Sequence, residues 1–361
     1  MTLTDTRTYP FPVPFGWFCV AHPEDVAAGE AIARYYFGRH LVIWRDQNRG
    51  VHVQDAFCPH LGAHLGHGGK AVRLDDGTNC LECPFHGWKF DADGANAEIP
   101  YSDRINKKAQ LRTYPAIERN GVIMAWYHPD GVDPMWEIPV IDEFDARDTA
   151  YSTMISTSHV IDACWQEMAE NGVDSAHFRY VHDTAEVPKL ESYETGFPES
   201  DMKSSQKFPT PRGVEEGRID SHSYGPGLSL VSFSGIIDTY NLACNTPIDE
   251  GRCEMWFHFR FKTMGDDETT KNVGNAFVRE VDKQVLEDKP IWEHKAHLTR
   301  PALAGEDGPF MKFRRWAAQF YAEGVADDGE QVYEPPFWPD RLDEAPAKAT
   351  ASVRASQQPS G

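Results

Sequence analysis

Cys58-Pro59-His60 and, after a gap of 22 residues, Cys83-Pro84-Phe85-His86 each place a thiol beside an imidazole. Two such pairs on neighbouring loops bring two thiolates and two neutral imidazoles together. That donor set suits a [2Fe–2S] cluster with two Cys on one iron and two His on the other. It also suits a tetrahedral zinc ion, and Cys80-x2-Cys83 has a zinc-like spacing. Each half carries one Cys and one His, and no second knuckle mirrors Cys80 and Cys83, so the cluster is favoured. Cys80 is then expected as a core thiol. His64 and His67, in the glycine-rich LGAHLGHGG (61–69), are expected as solvated extras. Imidazole in place of thiolate removes negative charge and raises the potential from about −400 mV to about −150 to +300 mV. Such a cluster accepts electrons from an ordinary ferredoxin or flavin.

A second constellation follows in Glu170-Asn-Gly-Val-Asp174-Ser-Ala-His177-Phe-Arg-Tyr-Val-His182. At about 100° per residue, Glu170, Asp174 and His177 share one helical face. His182 stands about 140° from His177 on an ideal helix, so both reach one metal only if the helix bends or ends between them. Two His and a later carboxylate compose the facial triad of non-haem Fe(II) oxygenases, which leaves coordination positions open for O2. Either histidine alone is better read as a partly buried core residue. The carboxylate must come from a helix returning to that face. The segment VDKQVLEDKPIWEHK (281–295) offers Asp282, Glu287, Asp288 and Glu293, with Trp292 one turn beyond Asp288.

The elements that must hold these residues fall into two halves. Residues 16–130 read as short strands punctuated by turns: HLVIWR (40–45), VHVQDAF (51–57), GWKFD (87–91) and GVIMAWYH (121–128). A Pro/Gly/acidic stretch at 131–150 marks a crossing. Helix is expected from about Asp162 to His182, strands over 229–243 and 253–261, and a second helix over Asn275–Leu298. The fold class is α+β: a small all-β domain over 1–135 and, over 136–345, a helix-grip domain in which an antiparallel sheet wraps on helices. Residues 346–361 read as a mobile tail.

With 35 basic and 56 acidic residues the net charge is −21, which argues against nucleic acid as a principal partner. No apolar run approaches the ~20 residues that span a bilayer, and the start lacks a signal-peptide pattern. Seven scattered cysteines fit a reducing cytoplasm. The basic residues Lys70, Arg73, Lys89, Arg104, Lys107 and Lys108 cluster in the first half and are a candidate landing patch for an acidic redox partner.

The run CPH…CPFHGW resembles the N-terminal domain of Rieske oxygenases, with a gap lengthened by a turn at RLDDGT (73–78). The resemblance spans most of 16–322 and continues in Asp-x2-His-x4-His (174–182), LEDKPIW (286–292), IWEHKAH (291–297) and EDGPFMKFRRWAAQFY (306–321). These later segments are similar to the oxygenase component of 3-ketosteroid 9α-hydroxylases and, more distantly, to cholesterol 7-desaturases. It implies that Cys58, His60, Cys83 and His86 hold a Rieske [2Fe–2S] cluster, and that His177, His182 and Asp288 hold a mononuclear Fe(II), with Asp282 as the fallback carboxylate. It further implies Asp174 as an acidic bridge from His177 to a cluster histidine of the neighbouring subunit in a head-to-tail homotrimer. The resemblance of Ser-Tyr-Gly-Pro-Gly (223–227) to a pocket strand puts Tyr224 beside the substrate, with Trp292. The implied activity is a monooxygenase fed by a ferredoxin and/or an NAD(P)H-dependent flavin reductase, using O2 on an apolar, steroid-like substrate. Desaturation or demethylation of a sterol or aromatic substrate is the alternative. Two other classes compete: a simple Rieske electron carrier, which needs no second iron, and a zinc-binding lipid carrier, which would be colourless.

Overall fold

The computed structural model describes residues 11–210, 213–235, 237–298, 300–322, 325–327 and 331–333; the expected tail at 346–361 lies outside them. They divide into two compact units, one of Trp17–Tyr127 with Gly131–Val140, the other chiefly from Ile141 onward.

The first unit is built from short antiparallel strands. β1 (Gly16–Ala21), β2 (Ala31–Tyr36), β3 (Arg39–Arg45), β4 (Val51–Asp55), β5 (Lys70–Arg73), β6 (Asn79–Glu82), β7 (Lys89–Asp91), β8 (Asn96–Glu98), β9 (Thr113–Tyr114), β10 (Ala116–Arg119) and β11 (Val122–Tyr127) follow in chain order. They form sheets ordered β1-β11-β10, β2-β3-β4-β9 and β5-β6-β7-β8. β3 reads Leu-Val-Ile-Trp with every one of these side chains buried, because it has a neighbouring layer on both faces. Val42, Trp44, Leu65, Leu81, Trp88, Phe90 and Leu111 pack into one core that also takes in Cys58 and Cys83. The core therefore anchors the base of both Cys/His loops.

The second unit carries β12 (Ile155–Ile161), α1 (Trp165–Ala169), α2 (His177–Tyr180), β13 (Lys189–Thr195), β14 (Glu199–Thr210), β15 (Gly213–Tyr224), β16 (Ser229–Ser234), β17 (Thr239–Asp249), β18 (Arg252–Phe261), α3 (Asp267–Trp292) and α4 (Phe310–Ala318). Seven of its strands, β12 to β18, make one antiparallel sheet, ordered β12-β18-β17-β16-β15-β14-β13. α3 packs on β12 and β18, and α4 on β13, so the sheet curls over helices as the α+β reading requires. Phe233, Phe259 and Phe261 meet Phe277 of α3 with centroids 5.1, 6.0 and 5.8 Å away.

Three elements differ from expectation. The stretch 229–243 is two strands joined by a turn, β16 and β17. α3 starts at Asp267 rather than Asn275, because the Asp266 side chain caps it by accepting the Thr269 N–H at 2.7 Å; it ends at Trp292 rather than Leu298. The segment 162–182 is not one helix. α1 gives way to a 3₁₀ turn at Glu170–Val173, and Asp174 is extended (φ −90°, ψ 107°) before α2 begins. The Asp174 side chain takes the N–H groups of Ala176 and His177 at 3.0 and 3.3 Å, replacing the helical ladder. The shared helical face of Glu170, Asp174 and His177 therefore does not exist. Among the described residues, no helix is long and apolar enough to cross a membrane.

Candidate metal centres

The two Cys/His loops are built alike. In each, a glycine four residues after the Cys returns its N–H to the Cys carbonyl: Gly62 to Cys58 at 2.9 Å and Gly87 to Cys83 at 3.0 Å. The Cys N–H then bonds the carbonyl just past that glycine, Ala63 at 2.9 Å and Trp88 at 2.8 Å. Gly62 and Gly87 sit at φ +75° and +68°, which a side chain would resist. The turns bring the Cys58 and Cys83 thiols side by side in the core. Burial pushes the Cys58 thiol up to about 11, and the adjacent Cys83 thiol adds to the rise while the His60 N–H opposes it. His60 and His86 lie together on the other side of the loops, ring centroids 4.8 Å apart. His60 stacks on Trp88 at 4.4 Å, and Trp88 Nε1 donates to the Tyr101 hydroxyl at 2.7 Å.

The donors thus pair Cys with Cys and His with His. Among the described residues the four do not form one set of ligand atoms within 4.8 Å of one another, as a single zinc ion with bonds of about 2.0–2.3 Å would need. Two buried thiols side by side, and a buried His86 Nδ1 with no hydrogen-bond partner, fit a two-iron cluster. Cys80 lies elsewhere, fully buried on β6, its thiol raised to about 12 by burial and the nearby Asp91. His64 and His67 pack on each other at 4.5 Å, and His64 Nδ1 accepts the Gly66 N–H.

In the second unit, His177, His182 and Asp288 carry ligand atoms all within 4.8 Å of one another. His182 Nε2 is 3.3 Å from Asp288 Oδ2, and its Nδ1 is 3.0 Å from Glu287 Oε2. The Asn171 amide stands 3.2 Å from His177 Nε2 and 3.5 Å from Asp288 Oδ2. Burial pushes the Asp288 carboxyl up, with His182 and His177 pulling against it. Asp174 Oδ2 lies 3.9 Å from His177 Nδ1, itself buried and without a hydrogen-bond partner. Burial would raise Asp174 too, yet the facing His177 ring and two backbone N–H groups hold it below its ordinary value. Three convergent donors, with the His182 ring oriented by Glu287 through Nδ1 and the His177 Nδ1 facing Asp174, fit a divalent iron. Asp282 is not among them: it faces His159 Nε2 at 2.9 Å.

The triad opens into a cavity of about 300 Å³. Trp165, Phe178, Trp292, Phe313 and Trp316 wall it, and the sheet supplies a floor of Met202, Val231, Met255 and Phe257 interleaved with Ser200, Ser221, Ser223 and Ser229. Trp292 and Phe233 are in its lining. Tyr224 is not. On β15 the lining side chains are Ile219, Ser221 and Ser223, so the two-residue alternation turns Tyr224 to the other face, against His222 at 4.6 Å. Asn245 and Trp316 each bring a buried polar atom with no partner to the lining.

Beneath the triad lies a layer that sequence reasoning missed. Buried Glu170 pairs with Arg314 of α4, whose Nη2 is 3.1 Å from Glu170 Oε2. Glu167 pairs with Lys295 at 2.7 Å and with His297. These pairs lock the 165–171 run, and with it Asn171. Asn171 directly follows Glu170 in the motif, and Glu287 directly precedes Asp288; that adjacency was the available signal.

Two family models match: the Rieske [2Fe-2S] domain over residues 16–115 and the 3-ketosteroid 9alpha-hydroxylase C-terminal domain over 125–321. The chain is 32% identical to cholesterol 7-desaturase of Caenorhabditis elegans, over 86% of this chain and 77% of that one. It is 29% identical to a 3-ketosteroid-9-alpha-monooxygenase oxygenase component of Rhodococcus rhodochrous, over 91% and 90%. Dicamba monooxygenase bound to dicamba shares the fold, with a TM-score of 0.68 and 21% identity over 87% of this chain and 98% of that one. This chain belongs to the Rieske non-haem iron oxygenases, in the group whose catalytic half is of 3-ketosteroid 9α-hydroxylase type, which use a Rieske [2Fe–2S] cluster, a mononuclear iron and O2.

Proposed function

We propose that this oxygenase component hydroxylates a rigid, apolar, steroid-like substrate held over an iron bound by His177, His182 and Asp288. The observation that carries the reading is the opening of that triad into an aromatic-walled cavity of about 300 Å³. Cys58 and Cys83 hold one iron of the cluster, and His60 and His86 the other. When bound, the cluster supplies electrons singly and the mononuclear iron supplies O2 activation for attack on a C–H bond. The protein's own part is positional. Glu287 fixes the His182 ring, Asn171 spans His177 and Asp288, and the aromatic walls exclude water from the substrate. Trp165 is held in the wall by its Nε1 donating to Pro226 O at 2.7 Å.

An oxygenase component requires a reductase or ferredoxin, and we assign that partner to NAD(P)H-dependent delivery in a reducing cytoplasm, in keeping with seven free thiols. We also assign the active form to a head-to-tail homotrimer. Phe57, Leu61 and Phe85 stand exposed around the cluster loops, which supports an apolar partner surface there. In that assembly the free side of Asp174 meets a cluster histidine of the neighbouring copy. Asp174→Asn keeps size but removes charge and an acceptor. Cluster and iron should persist while cluster reoxidation in a single turnover with substrate and O2 becomes slow; reoxidation at the wild-type rate means Asp174 only closes the turn before α2.

Product analysis with a steroid panel, reductase and O2 tests the activity. A hydroxylated product is expected. A new double bond instead favours the desaturase reading, which the 32% identity to cholesterol 7-desaturase supports; no turnover of any steroid removes the substrate assignment.

A further inference from the structure

Among the described residues that line the cavity, Gly172 alone is exposed; the others are buried or half-buried. It directly follows Asn171, whose amide reaches His177 and Asp288. One step along the chain therefore leads from the surface to the triad. Asp183, beside His182, is also exposed but is not in the lining. Nothing local demands a glycine at 172. Its φ lies outside the left-handed region, and a Cβ there would meet nothing within 4 Å. Packing does fix Gly274 and Gly308 in the same unit, where a Cβ would stand 2.8 Å from Phe261 and 1.8 Å from Val173 O. In the helical turn Glu170–Val173 a glycine is less favourable than an alanine, because it gives up more backbone freedom on folding. The bare position is accounted for by the space in front of it. The turn is also held from behind: Val173 is buried with its carbonyl against Gly308, and α4 packs on the turn. Side-chain bulk, rather than movement, then sets the opening at such a rim.

We infer that the cavity opens to solvent at Gly172, and that the missing side chain makes this position the entry port, determining how large a molecule reaches the triad. The port governs passage, not recognition. A side chain at 172 raises the barrier to arrival and to departure alike, so both rates fall and the bound state keeps its affinity. A molecule as small as O2 passes in either case. The port serves whichever bulky substrate the oxygenase takes, so it stands apart from the steroid reading above.

The test is a removable plug. All seven native cysteines are buried, so the thiol introduced by Gly172→Cys is the one open to reagents. Methyl and benzyl methanethiosulfonate place a small and a large disulfide-linked group there, and dithiothreitol removes both. Two probes are timed on protein holding cluster and iron: nitric oxide, read by the EPR signal of its iron adduct, and bipyridine, read by the colour of the iron it extracts. The benzyl group should slow bipyridine about tenfold and the methyl group less. Nitric oxide should arrive at an unchanged rate, and dithiothreitol should restore the bipyridine rate. Bipyridine extraction indifferent to the benzyl group overturns the port, as does equal slowing of both probes. Loss of the mononuclear iron in Gly172→Cys and Gly172→Ala alike also overturns it, because the position then needs its glycine for structure. With any steroid that proves to be a substrate, the benzyl group should lower association and release rates together and leave Kd unchanged; a raised Kd puts position 172 inside the binding site instead. Failure of the whole steroid panel removes the substrate reading alone, and the bipyridine comparison still decides the port.

Discussion

The two metal centres solve the same problem by opposite means. In the first unit all four donors fall within 58–86, on two short loops with the same closing hydrogen bonds, and each loop is seated on a β core. In the second, two donors come from a broken helical segment and the third from α3, more than a hundred residues on in the chain. Local closure makes the cluster site independent of what surrounds it. Long-range assembly makes the mononuclear site depend on its supports: Glu287, Asn171, the Glu170–Arg314 pair and the packing beneath Asp174. The cluster loops carry exposed apolar tips, while the His182 side chain is 2% exposed and lines the cavity.

The largest effects should come from cutting the two sites separately. Asp288→Ala leaves His177 and His182 without their carboxylate; product formation should vanish and the mononuclear iron should be lost, with the cluster's visible and EPR spectra unchanged. His86→Cys should do the reverse, altering the cluster spectrum and lowering its potential through the added thiolate charge, with the mononuclear iron retained. Iron analysis alongside EPR reads both. If either change strips both metals, the two units are not independent and the contrast drawn above fails.

A smaller but still large effect is expected at Gly308. A Cβ there would stand 1.8 Å from Val173 O and 3.6 Å from Asp174 Cα, so the backbone under the ligand segment must shift. Gly308→Ala should lower iron affinity, and product formation by up to about a hundredfold for a displacement near 1 Å. Cluster content should be untouched. Wild-type turnover in this variant would show that the ligand segment tolerates movement and is not held by its supports.

The same contrast decided what was legible in advance. The two Cys/His loops could be read because turn chemistry and spacing bring Cys58, His60, Cys83 and His86 onto neighbouring loops, and the resemblance implied their use. The four acids offered by 281–295 could not be sorted by periodicity, since what packs against each decides its use. Asp282 faces His159, Glu293 accepts the Asp162 N–H at 3.1 Å, Glu287 orients His182, and Asp288 joins the triad. Resemblance, not spacing, singled out Asp288. The helix expected through 170–182 failed because a helical pattern does not reveal that Asp174 will claim two backbone N–H groups. Tyr224 failed on strand parity, which the register of β15 with its neighbours sets and a single strand cannot disclose.

If the first unit stands on its own local bonds, its stability should answer to them. Asp46 accepts the Asn48 and Gly50 N–H groups at 2.8 Å, His52 Nε2 at 3.0 Å and Asn79 Nδ2 at 3.1 Å, tying the β3–β4 turn to β6. Burial would raise its carboxyl, but the His52 and Gly50 bonds outweigh this and hold it below its ordinary 3.8. A depressed folded pKa means the stability it contributes is full above about pH 5 and fades as the pH falls through the folded value. Asp46→Asn should cost about 1–3 kcal/mol at neutral pH and flatten the acid limb of the unfolding curve, read by loss of cluster colour. An unchanged acid limb would place the unit's acid sensitivity elsewhere.

The smallest effect concerns the outward role of the first unit. Of the six basic residues singled out, Lys70 is met by Glu82 at 3.4 Å and Lys89 by Glu98. Arg73 donates to Gly77 O within its own hairpin. Arg104, Lys107 and Lys108 remain exposed, on a segment that begins beside Tyr101, the partner of Trp88 under the cluster histidines. A redox partner that docks near His60 and His86 passes this segment, and on a chain of net charge −21 its positive field is the exception. Steering by exposed charges is screened over about 8–10 Å at physiological salt, so the contribution is kinetic and modest. Arg104→Glu with Lys107→Glu should slow cluster reduction a few-fold at low salt, the gap narrowing as salt rises, while single-turnover chemistry from a pre-reduced cluster stays as in wild type. Reduction rates indifferent to both salt and the charge reversal would leave these residues as ordinary solvated charges, and the apolar tips of Phe57, Leu61 and Phe85 as the whole of the docking surface.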